Sequence, residues 1–392
     1  MTDFDKLIAQ IHQTSTQISL CVTGGGSQAI SRLLESPGAT QTVIEAYVPY
    51  SQEALTDFLH KTPEHYCSSE TARAMAATCY ERACQFGKSM ETAAGIACTA
   101  SLASNKPKKG PHRCHIALQN LDTTVTHSLQ FNKGTRTRTE EEQVTGNLII
   151  AAVARACGQH SPLPQLEQSQ LGLSHDEHIH TVCTRATQPL IDLAAGSARY
   201  LWRTPQGILH PIPAKQDSKT SEFCPEVILP GTFNPLHHGH EQLARVAGQL
   251  LEKDTVYEIS LFNVDKPVLN YTELENRLNQ FNERSNVLIT RSATFPDKAI
   301  LFPGSTFVIG YDTAVRVLNH RYYPHPLSLE SALHQIEQQG CRFLVAGRLI
   351  GDEFHTLHNL SIPKRFRDLF LDIPEARFRM DLSSTAIREQ QI

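Results

Sequence analysis

The ten residues Gly231-Thr-Phe-Asn-Pro-Leu-His-His-Gly-His240 decide the fold of the C-terminal half of the chain. They follow a short apolar stretch, EVILP (226–230), that has the pattern of a buried strand. They precede EQLARVAGQLLE (241–252), whose apolar residues recur at helical spacing. A strand, a glycine-containing loop and a helix in this order begin a βαβ unit. We therefore expect the loop at the carboxyl edge of a parallel sheet, where such sheets bind their ligands.

The residue types in this loop suit the binding of a phosphate group. Gly231 has no Cβ, so backbone N–H groups can approach a ligand closely there. His237, Gly239 and His240 fall at the start of the helix, where unpaired N–H groups and the helix dipole favour an anion. Two imidazoles could donate hydrogen bonds to phosphate oxygens and stabilise the charge of a departing pyrophosphate. A metal held by the histidines, or merely a polar turn, is the alternative, although phosphate-bound Mg²⁺ prefers oxygen ligands.

The rest of the C-terminal half continues the alternation of strands and helices. The predicted elements are a strand in YEISLFNV (257–264), a helix over about 272–289, a strand in TFVIG (306–310), a helix from Asp312 and a strand in RFLVAG (342–347). This rhythm predicts a Rossmann-like, doubly wound parallel sheet.

The N-terminal half also alternates, which predicts an α/β layer structure. The predicted elements are a strand in ISLCV (18–22), a helix over about 26–35, a strand in QTVIEAYVPYS (41–51), a helix in SSETARAMAATCYERACQF (68–86) with Ser69 as its cap, a hairpin of RCHIALQN (113–120) and TTVTHSLQFN (123–132), and a closing helix in TEEEQVTGNLIIAAVARAC (139–157).

Two polar stretches, 158–172 and 211–222, break this patterning and resemble linkers. A length of 392 residues suggests two or three domains. We therefore predict an N-terminal domain over 1–160, a linker with a small β appendage over 161–222, and a C-terminal domain over 223–392.

Composition excludes several classes of protein. With 40% hydrophobic and 19% charged residues the chain is globular, and a net charge of -4 provides no general attraction to nucleic acid or anionic membrane. No apolar run approaches the ~18 residues that span a bilayer, and the N-terminus lacks the pattern of a secretory signal. The 10 cysteines show no C-x-x-C pair, which predicts free thiols and no metal site. We expect a cytoplasmic protein.

Two charged runs are interpreted as solvated surface. Histidines and carboxylates crowd residues 175–180, which could suggest a metal site, but the run borders a Pro/Gln-rich stretch, so a solvated loop is favoured. The basic run 106–110 is expected to be an exposed approach to the hairpin.

The loop 231–240 matches the G-x-F-x-P-x-H-x-G-H signature of the nucleotidylyltransferase superfamily, and Leu382-Ser-Ser-Thr-Ala-Ile-Arg388 resembles its closing I-S-S-T-x-I-R motif. In that superfamily the second motif grips nucleotide phosphates with hydroxyls, N–H groups and an arginine. The resemblance covers about residues 225–392.

Within the superfamily, Thr232-Phe-Asn-Pro looks most like the nicotinamide and nicotinate mononucleotide adenylyltransferases. Lys266 stands where that branch places a phosphate-binding lysine, although it could also be a solvated loop lysine. Gly310-Tyr-Asp312 resembles the family's G-x-D, in which Asp312 would hold the nucleotide pocket or cap a helix. The tryptophan that follows G-x-D in the family is missing, and Arg321-Tyr-Tyr323 stands nearby. The identity of the acceptor therefore stays open.

The resemblance implies attack of a mononucleotide phosphate on the α-phosphorus of ATP, with release of pyrophosphate and with Mg²⁺ present. The implied catalytic residues are His237, His240 and Arg388. The implied nucleotide-binding residues are Gly231, Thr232, Phe233, Asn234, Gly239, Lys266, Gly310, Asp312, Ser383, Ser384 and Thr385. The alternatives are another phosphorylated acceptor, or a nucleotide-sensing regulator with little catalysis.

The N-terminal half, over about residues 5–157, resembles the C-terminal domain of the competence-damage-inducible protein family, whose active members are nicotinamide-nucleotide amidases. The matching motifs are Thr23-Gly-Gly25, Pro37-Gly-Ala-Thr40, Pro49-Tyr-Ser-Gln-Glu-Ala54 and Gly95-Ile-Ala97. This sequence differs from the family's motifs at the positions that would carry the chemistry. Leu55 replaces the family's lysine, Cys21 replaces a serine, and Cys98-Thr-Ala-Ser replaces G-P-x-G-G. We predict that this domain keeps the fold, could keep a mononucleotide pocket, and lacks deamidation. The resemblance also implies that a homo-oligomer could form.

Overall fold

The computed structural model describes residues 3–106, 108–158, 168–214, 224–262, 269–323 and 328–379. The chain divides into two compact units, Met1–Ile191 with Asp265–Glu273 and Asp192–Val264 with Leu274–Ile392. Each unit is built on a sheet that contains parallel strands, so the predicted α/β class is confirmed for both halves. Within the described ranges, no helix has the length and apolar character to cross a membrane.

The first unit is built on a six-stranded sheet. Its strands are β1 (Gln17–Thr23), β2 (Val43–Tyr47), β3 (Ala93–Ser101), β4 (His112–Gln119), β5 (Thr123–Phe131) and β6 (His180–Arg185). They lie in the order β2-β1-β3-β4-β5-β6, in which β1 pairs in parallel with β2 and β3, and the later pairs are antiparallel. The predicted hairpin is therefore the pair β4–β5.

Helices cover both faces of this sheet. They are α1 (Asp3–Ile11), α2 (Ser27–Glu35), α3 (Ala39–Thr42), α4 (Gln52–Leu59), α5 (Ser69–Phe86), α6 (Arg138–Ala156) and α7 (Gln168–Leu171). Apolar side chains of α1, α2 and α6 form the core on one face, and those of α4 and α5 form it on the other. Because successive strand residues point to opposite faces, both cores need buried residues in every central strand, which explains the continuous burial of β1 and β3.

Two local predictions in this unit need correction. The cap of α5 is Ser68, whose Oγ accepts a hydrogen bond from the Thr71 N–H at 3.2 Å, and Ser69 is the first helical residue. The two serines are equivalent in the sequence pattern, and only the backbone geometry separates them. The predicted strand 41–51 is shorter, because its first two residues complete α3.

The second unit is built on an eight-stranded sheet. Its strands are β7 (Ala198–Arg203), β8 (Leu209–Pro213), β9 (Val227–Pro230), β10 (Thr255–Ser260), β11 (Val287–Thr290), β12 (Thr306–Gly310), β13 (Arg342–Ala346) and β16 (Phe370–Ile373). The order is β16-β13-β12-β9-β10-β11-β7-β8. From β16 to β11 every pair is parallel, whereas β7 pairs antiparallel with β11 and with β8. The chain turns back between β9 and β12, which makes this the switch point of a doubly wound sheet.

The remaining elements of the chain connect or cover these strands. The helices are α8 (Gln188–Ala195), α9 (His238–Leu251), α10 (Tyr271–Asn279), α11 (Phe295–Leu301), α12 (Tyr311–Val317) and α13 (Leu329–Gln338), with single 3₁₀ segments at His320–Tyr322, Leu357–Asn359 and Lys364–Leu369. A separate hairpin, β14 (Arg348–Ile350) and β15 (Glu353–His355), follows β13.

The helix predicted over about 272–289 is wrong in its second half. Helix α10 ends at Asn279, and Val287–Thr290 form strand β11 between β10 and β7. All four residues of β11 are buried, because the strand lies inside the sheet. A short apolar run after a helix does not show by periodicity alone whether it continues the helix.

The predicted middle segment 161–222 does not form an appendage of its own in its described part. Strand β6 pairs with β5 in the first sheet, whereas β7 and β8 extend the second sheet beside β11. This division therefore differs from the predicted boundaries. Composition marks where the chain is polar, but it does not show which distant strand a segment will pair with.

A buried ion pair replaces part of the loop predicted to be solvated at 175–180. Glu177 is 1% exposed, and its two carboxylate oxygens accept hydrogen bonds from Arg136 at 2.6 and 2.7 Å. The N–H groups of Asn132 and Ser174 also donate to it, at 2.8 and 2.9 Å. Burial acts to raise the pKa of Glu177, but these hydrogen bonds outweigh it and hold the pKa below its ordinary value. Glu177 is therefore a structural anion.

Candidate active site

The loop 231–240 joins β9 to α9 at the switch point of the second sheet. The Gly231 N–H donates to the carbonyl oxygen of Glu258 at 2.9 Å, which extends the β9–β10 pairing by one residue. A Cβ at position 231 would lie 2.6 Å from the ring of Phe233, so glycine is required by the ring that closes over it. Thr232 and Asn234 are half-buried along the same loop.

Phe233 anchors the loop in the core. Its φ of 44° lies in the left-handed region, which is strained for a residue with a side chain. Its ring is 1% exposed and packs edge-on against the rings of His240, Tyr257 and Phe281, with centroids 5.0, 5.4 and 5.3 Å apart. The side chain of Phe233 is therefore buried in the core and packs against the ring of His240.

The two histidines of the loop lie against each other. His237 caps α9, His240 lies in its first turn, and their rings stack with centroids 3.8 Å apart and planes 28° apart. The backbone N–H of His237 donates to Nδ1 of His240 at 3.3 Å. Because Nδ1 accepts this bond, the neutral ring of His240 is assigned its proton on Nε2, which can donate to a ligand.

Burial keeps both imidazoles neutral. Burial lowers the pKa of His237, and burial together with the nearby His237 ring lowers the pKa of His240 to about 4. Nδ1 of His237 is buried and has no hydrogen-bond partner among the described residues. A buried polar atom without a partner is costly, so this nitrogen is available to a ligand group or a water molecule.

Two further predicted residues, Gly310 and Asp312, lie at the end of β12, the neighbour of β9, and in the helix that follows it. A Cβ at Gly310 would meet no atom within 4 Å, so the space beside this glycine is open. Gly310 itself caps α12, and Asp312 lies inside the first turn. The interpretation of Asp312 as the helix cap is therefore wrong. Its side chain forms an ion pair with Arg348, at the start of β14. Gly239 is buried in the first turn of α9.

Comparison with known families agrees with this geometry. The model of the cytidylyltransferase-like family matches residues 228–390, a range that begins in β9 and includes the histidine loop. The C-terminal half resembles the nucleotidylyltransferase superfamily. The predicted resemblance is confirmed, and a cytidylyltransferase-like domain supports a nucleotidyltransferase activity for this half.

The N-terminal region matches solved structures of competence/damage-inducible proteins. The protein from Agrobacterium tumefaciens is 20% identical, covers 40% of this chain and 93% of its own, and has a TM-score of 0.31. The protein from Klebsiella pneumoniae is 13% identical, covers 40% of this chain and 98% of its own, and has a TM-score of 0.32. The protein from Escherichia coli is 16% identical, covers 41% and 91%, and has a TM-score of 0.28. No curated protein matches the chain.

Several predicted residues of the nucleotidylyltransferase-like domain lie outside the described residues. They are Lys266, Ser383, Ser384, Thr385 and Arg388. Their roles stay predictions.

Sequence reasoning missed one residue at this site. Gln280 follows the end of α10, and its side-chain amide bonds to the backbone of the loop on both sides of Asn234-Pro235. No motif marks this glutamine, because its role depends on a contact between segments more than 40 residues apart. Only the folded backbone reveals it.

Among the described residues, no group of three or more His, Cys, Asp or Glu side chains could hold a metal ion. The carboxylate nearest to the open space at Gly310 in sequence, Asp312, is already paired with Arg348. Mg²⁺ usually reaches such sites on substrate phosphates, so the ion would arrive with ATP.

The first unit holds a separate pocket of about 220 Å³. It is lined by Thr23 and Gly24 of the T-G-G turn, by Tyr50 and by Leu55, so two of the four motifs quoted from the sequence meet there. Lys108 and Arg138 line it as well. The basic run that includes Lys108 was expected to be plain exposed surface, and that expectation is wrong for Lys108.

We expect the imidazole of His240 to titrate near pH 4. Because its folded pKa lies below the unfolded value of about 6.5, the unfolded chain binds more protons between these two values. The stability that comes from the neutral ring is therefore complete above about pH 6.5 and is lost as the pH falls toward 4. A ¹⁵N NMR titration of labelled histidine measures the midpoint, and a midpoint near 6.5 would contradict this assignment.

Proposed function

We propose that the nucleotidylyltransferase-like domain transfers AMP from ATP to a mononucleotide, such as nicotinamide or nicotinate mononucleotide, and releases pyrophosphate. The observation that carries the proposal is the stacked pair of neutral imidazoles, 3.8 Å apart, at the start of α9 and at the switch point of the sheet. A doubly wound sheet binds nucleotides at this position, and a helix start favours phosphate.

The chemistry follows from these groups. An oxygen of the acceptor phosphate forms a bond to the α-phosphorus of ATP, and the bond from that phosphorus to the pyrophosphate oxygen breaks. The acceptor phosphate is already ionised at neutral pH, so the reaction needs positioning and stabilisation of charge more than it needs a base. Nε2–H of His240 and an N–H of His237 would donate to the phosphates as charge moves onto the leaving group. Lys266 and Arg388 are proposed to add positive charge.

The acceptor is proposed from the resemblance of Thr232-Phe-Asn-Pro. Of the two tyrosines near the position of the missing tryptophan, Tyr323 is buried and its hydroxyl donates to the Val317 carbonyl oxygen at 2.8 Å. Tyr323 is therefore occupied in the core. Tyr322 is half-buried and is the remaining candidate to stack on a pyridine ring.

The full-length chain should be incubated with ATP, Mg²⁺ and one acceptor at a time, with product read out as dinucleotide and as pyrophosphate. Nicotinamide and nicotinate mononucleotides should yield dinucleotide. If pyrophosphate is released only with a different phosphorylated acceptor, the proposed acceptor is wrong but nucleotidyl transfer is still the reaction. Binding of ATP without turnover for any acceptor would favour a nucleotide-sensing regulator.

We also propose that the first unit lacks amidase activity. Position 55, where the family has a lysine, is a leucine that is 2% exposed. Cys21 is fully buried, and burial raises its pKa, so the thiol stays protonated and cannot serve as the nucleophile. Lys108 lines the same pocket, but it belongs to a different segment of the chain from the family's lysine. Its Nζ donates to Ser101 Oγ at 3.4 Å.

The full-length chain should therefore release no ammonia from nicotinamide mononucleotide above background. A coupled assay for ammonia, with an active nicotinamide-nucleotide amidase as the positive control, measures this. Ammonia release that disappears in a Lys108→Ala variant would overturn the proposal and would make Lys108 the functional substitute for the lost lysine.

A further inference from the structure

We infer that Gln280 is a positioning residue for the histidine loop, and that it sets the place of both imidazoles during nucleotidyl transfer. The inference rests on the proposed function, and it adds a residue that neither the loop signature nor the family match assigns.

The first support is the geometry of the amide. Nε2 of Gln280 donates to the carbonyl oxygen of Phe233 at 2.9 Å, and Oε1 accepts from the N–H of Leu236 at 2.7 Å. The side chain thus bonds to the loop backbone as a neighbouring strand would. Its N–H group donates to a backbone carbonyl oxygen, and its oxygen accepts from a backbone N–H. An apolar side chain at position 280 could make neither bond, and an ionised carboxylate could accept but not donate.

The second support is the place of the two bonds in the loop. Phe233 has the left-handed backbone, and Leu236 directly precedes His237, the cap of α9. The amide therefore holds a strained residue on one side and the residue before the first imidazole on the other. Because the His237 N–H also donates to Nδ1 of His240, displacement of Leu236 would move both rings.

The third support is that Gln280 is itself held firmly. Its neighbour Phe281 is fully buried and packs against Phe233 and Tyr257, with ring centroids 5.3 and 5.0 Å apart. The Nε2 atom also lies 3.3 Å from the Arg277 carbonyl oxygen at the end of α10. The backbone of Gln280 is thus anchored beside a core residue, and its side-chain amide is further held by the end of α10, so it can position a loop that has little regular structure of its own.

The test is a pair of variants of the full-length chain. Gln280→Ala should lower kcat for dinucleotide formation about 10²-fold while KM for ATP changes less than about threefold, because misplacement by about 1 Å affects the transition state most. Gln280→Glu should be more informative. A protonated carboxyl can both donate to Phe233 and accept from Leu236, whereas an ionised one repels the Phe233 carbonyl oxygen.

The activity of Gln280→Glu relative to the unchanged chain should therefore rise as the pH is lowered from 8 toward 5. Gln249→Glu is the matched control, since Gln249 is exposed on α9 and the same change there should leave the pH profile parallel to that of the unchanged chain. A parallel profile for Gln280→Glu, or an unchanged kcat for Gln280→Ala, would overturn the inference.

A readout without catalysis separates this inference from the proposed function. Hydrogen exchange of a peptide that contains Leu236 should be faster in Gln280→Ala than in the unchanged chain, while peptides from β12 and β13 exchange equally in both. If the unchanged chain forms no dinucleotide but this difference is present, the proposed function fails and the positioning of the loop by Gln280 stands. Equal exchange at Leu236 would refute the positioning itself.

Discussion

His240→Ala should lower kcat for nucleotidyl transfer about 10²- to 10³-fold, since loss of a single preorganised donor to a developing charge has an effect of this size. The variant removes the Nε2–H donor and leaves the buried Nδ1 of His237 without its stacked neighbour. The initial rate of pyrophosphate release, with ATP and the acceptor in excess, measures the loss.

His238 is the natural control, because it lies between His237 and His240 in the sequence and its side chain is 67% exposed. His238→Ala should retain kcat within about twofold. His240→Asn addresses the risk that alanine disturbs the loop, because the Asn oxygen can still accept from the His237 N–H but the side chain has no donor at the Nε2 position. A rate close to that of the unchanged chain in both His240 variants would remove this imidazole from the mechanism.

Glu177→Ala should destabilise the first unit by about 3–5 kcal/mol, because it leaves the Arg136 guanidinium without its carboxylate in a buried site. The N–H groups of Asn132 and Ser174 would lose their acceptor as well. For a unit of this size the expected fall in Tm is on the order of 10 °C, measured by calorimetry of the full-length chain.

The neighbouring Asp176 supplies the control. Its carboxylate is exposed and accepts from the side-chain amide of Asn132, at 2.9 and 3.0 Å. Asp176→Ala should change stability by less than about 1 kcal/mol. Equal effects of the two substitutions would mean that the loop is solvated, as its composition suggests. Because the pKa of Glu177 is lowered in the folded chain, its stabilising effect should also fade as the pH drops through that lowered value.

Much of the fold could be predicted because burial leaves a periodic trace in the sequence. Strands β1, β9, β12 and β13 are short apolar runs between turn signals, and the closing helix predicted over 139–157 is α6, Arg138–Ala156. The parts that failed depend on partners far along the chain. Local patterning places β11 in a helix and β6 and β7 in a common appendage, because the strands they pair with leave no mark in it.

In the candidate site, too, the features within one stretch of sequence could be predicted, and the contacts between distant segments could not. The loop 231–240 could be predicted from one stretch, since its glycines and histidines are neighbours in sequence and their place at a helix start follows from that stretch, whereas the stacking of the two imidazoles is seen only in the structure. The burial of the Phe233 ring, the pairing of Asp312 with Arg348 and the amide of Gln280 are contacts between separate elements. Sequence spacing carries no information about such contacts.

The antiparallel hairpin β7–β8 has a practical consequence for anyone who wishes to produce the C-terminal half alone. A fragment that starts at residue 223, where the composition suggests a cut, would lose this hairpin and leave β11 as the outermost strand. Its four residues are entirely buried in the intact chain, so the truncation would uncover a hydrophobic edge that is able to recruit strands from other molecules. Soluble expression of this half should therefore improve when the gene fragment begins before Ala198.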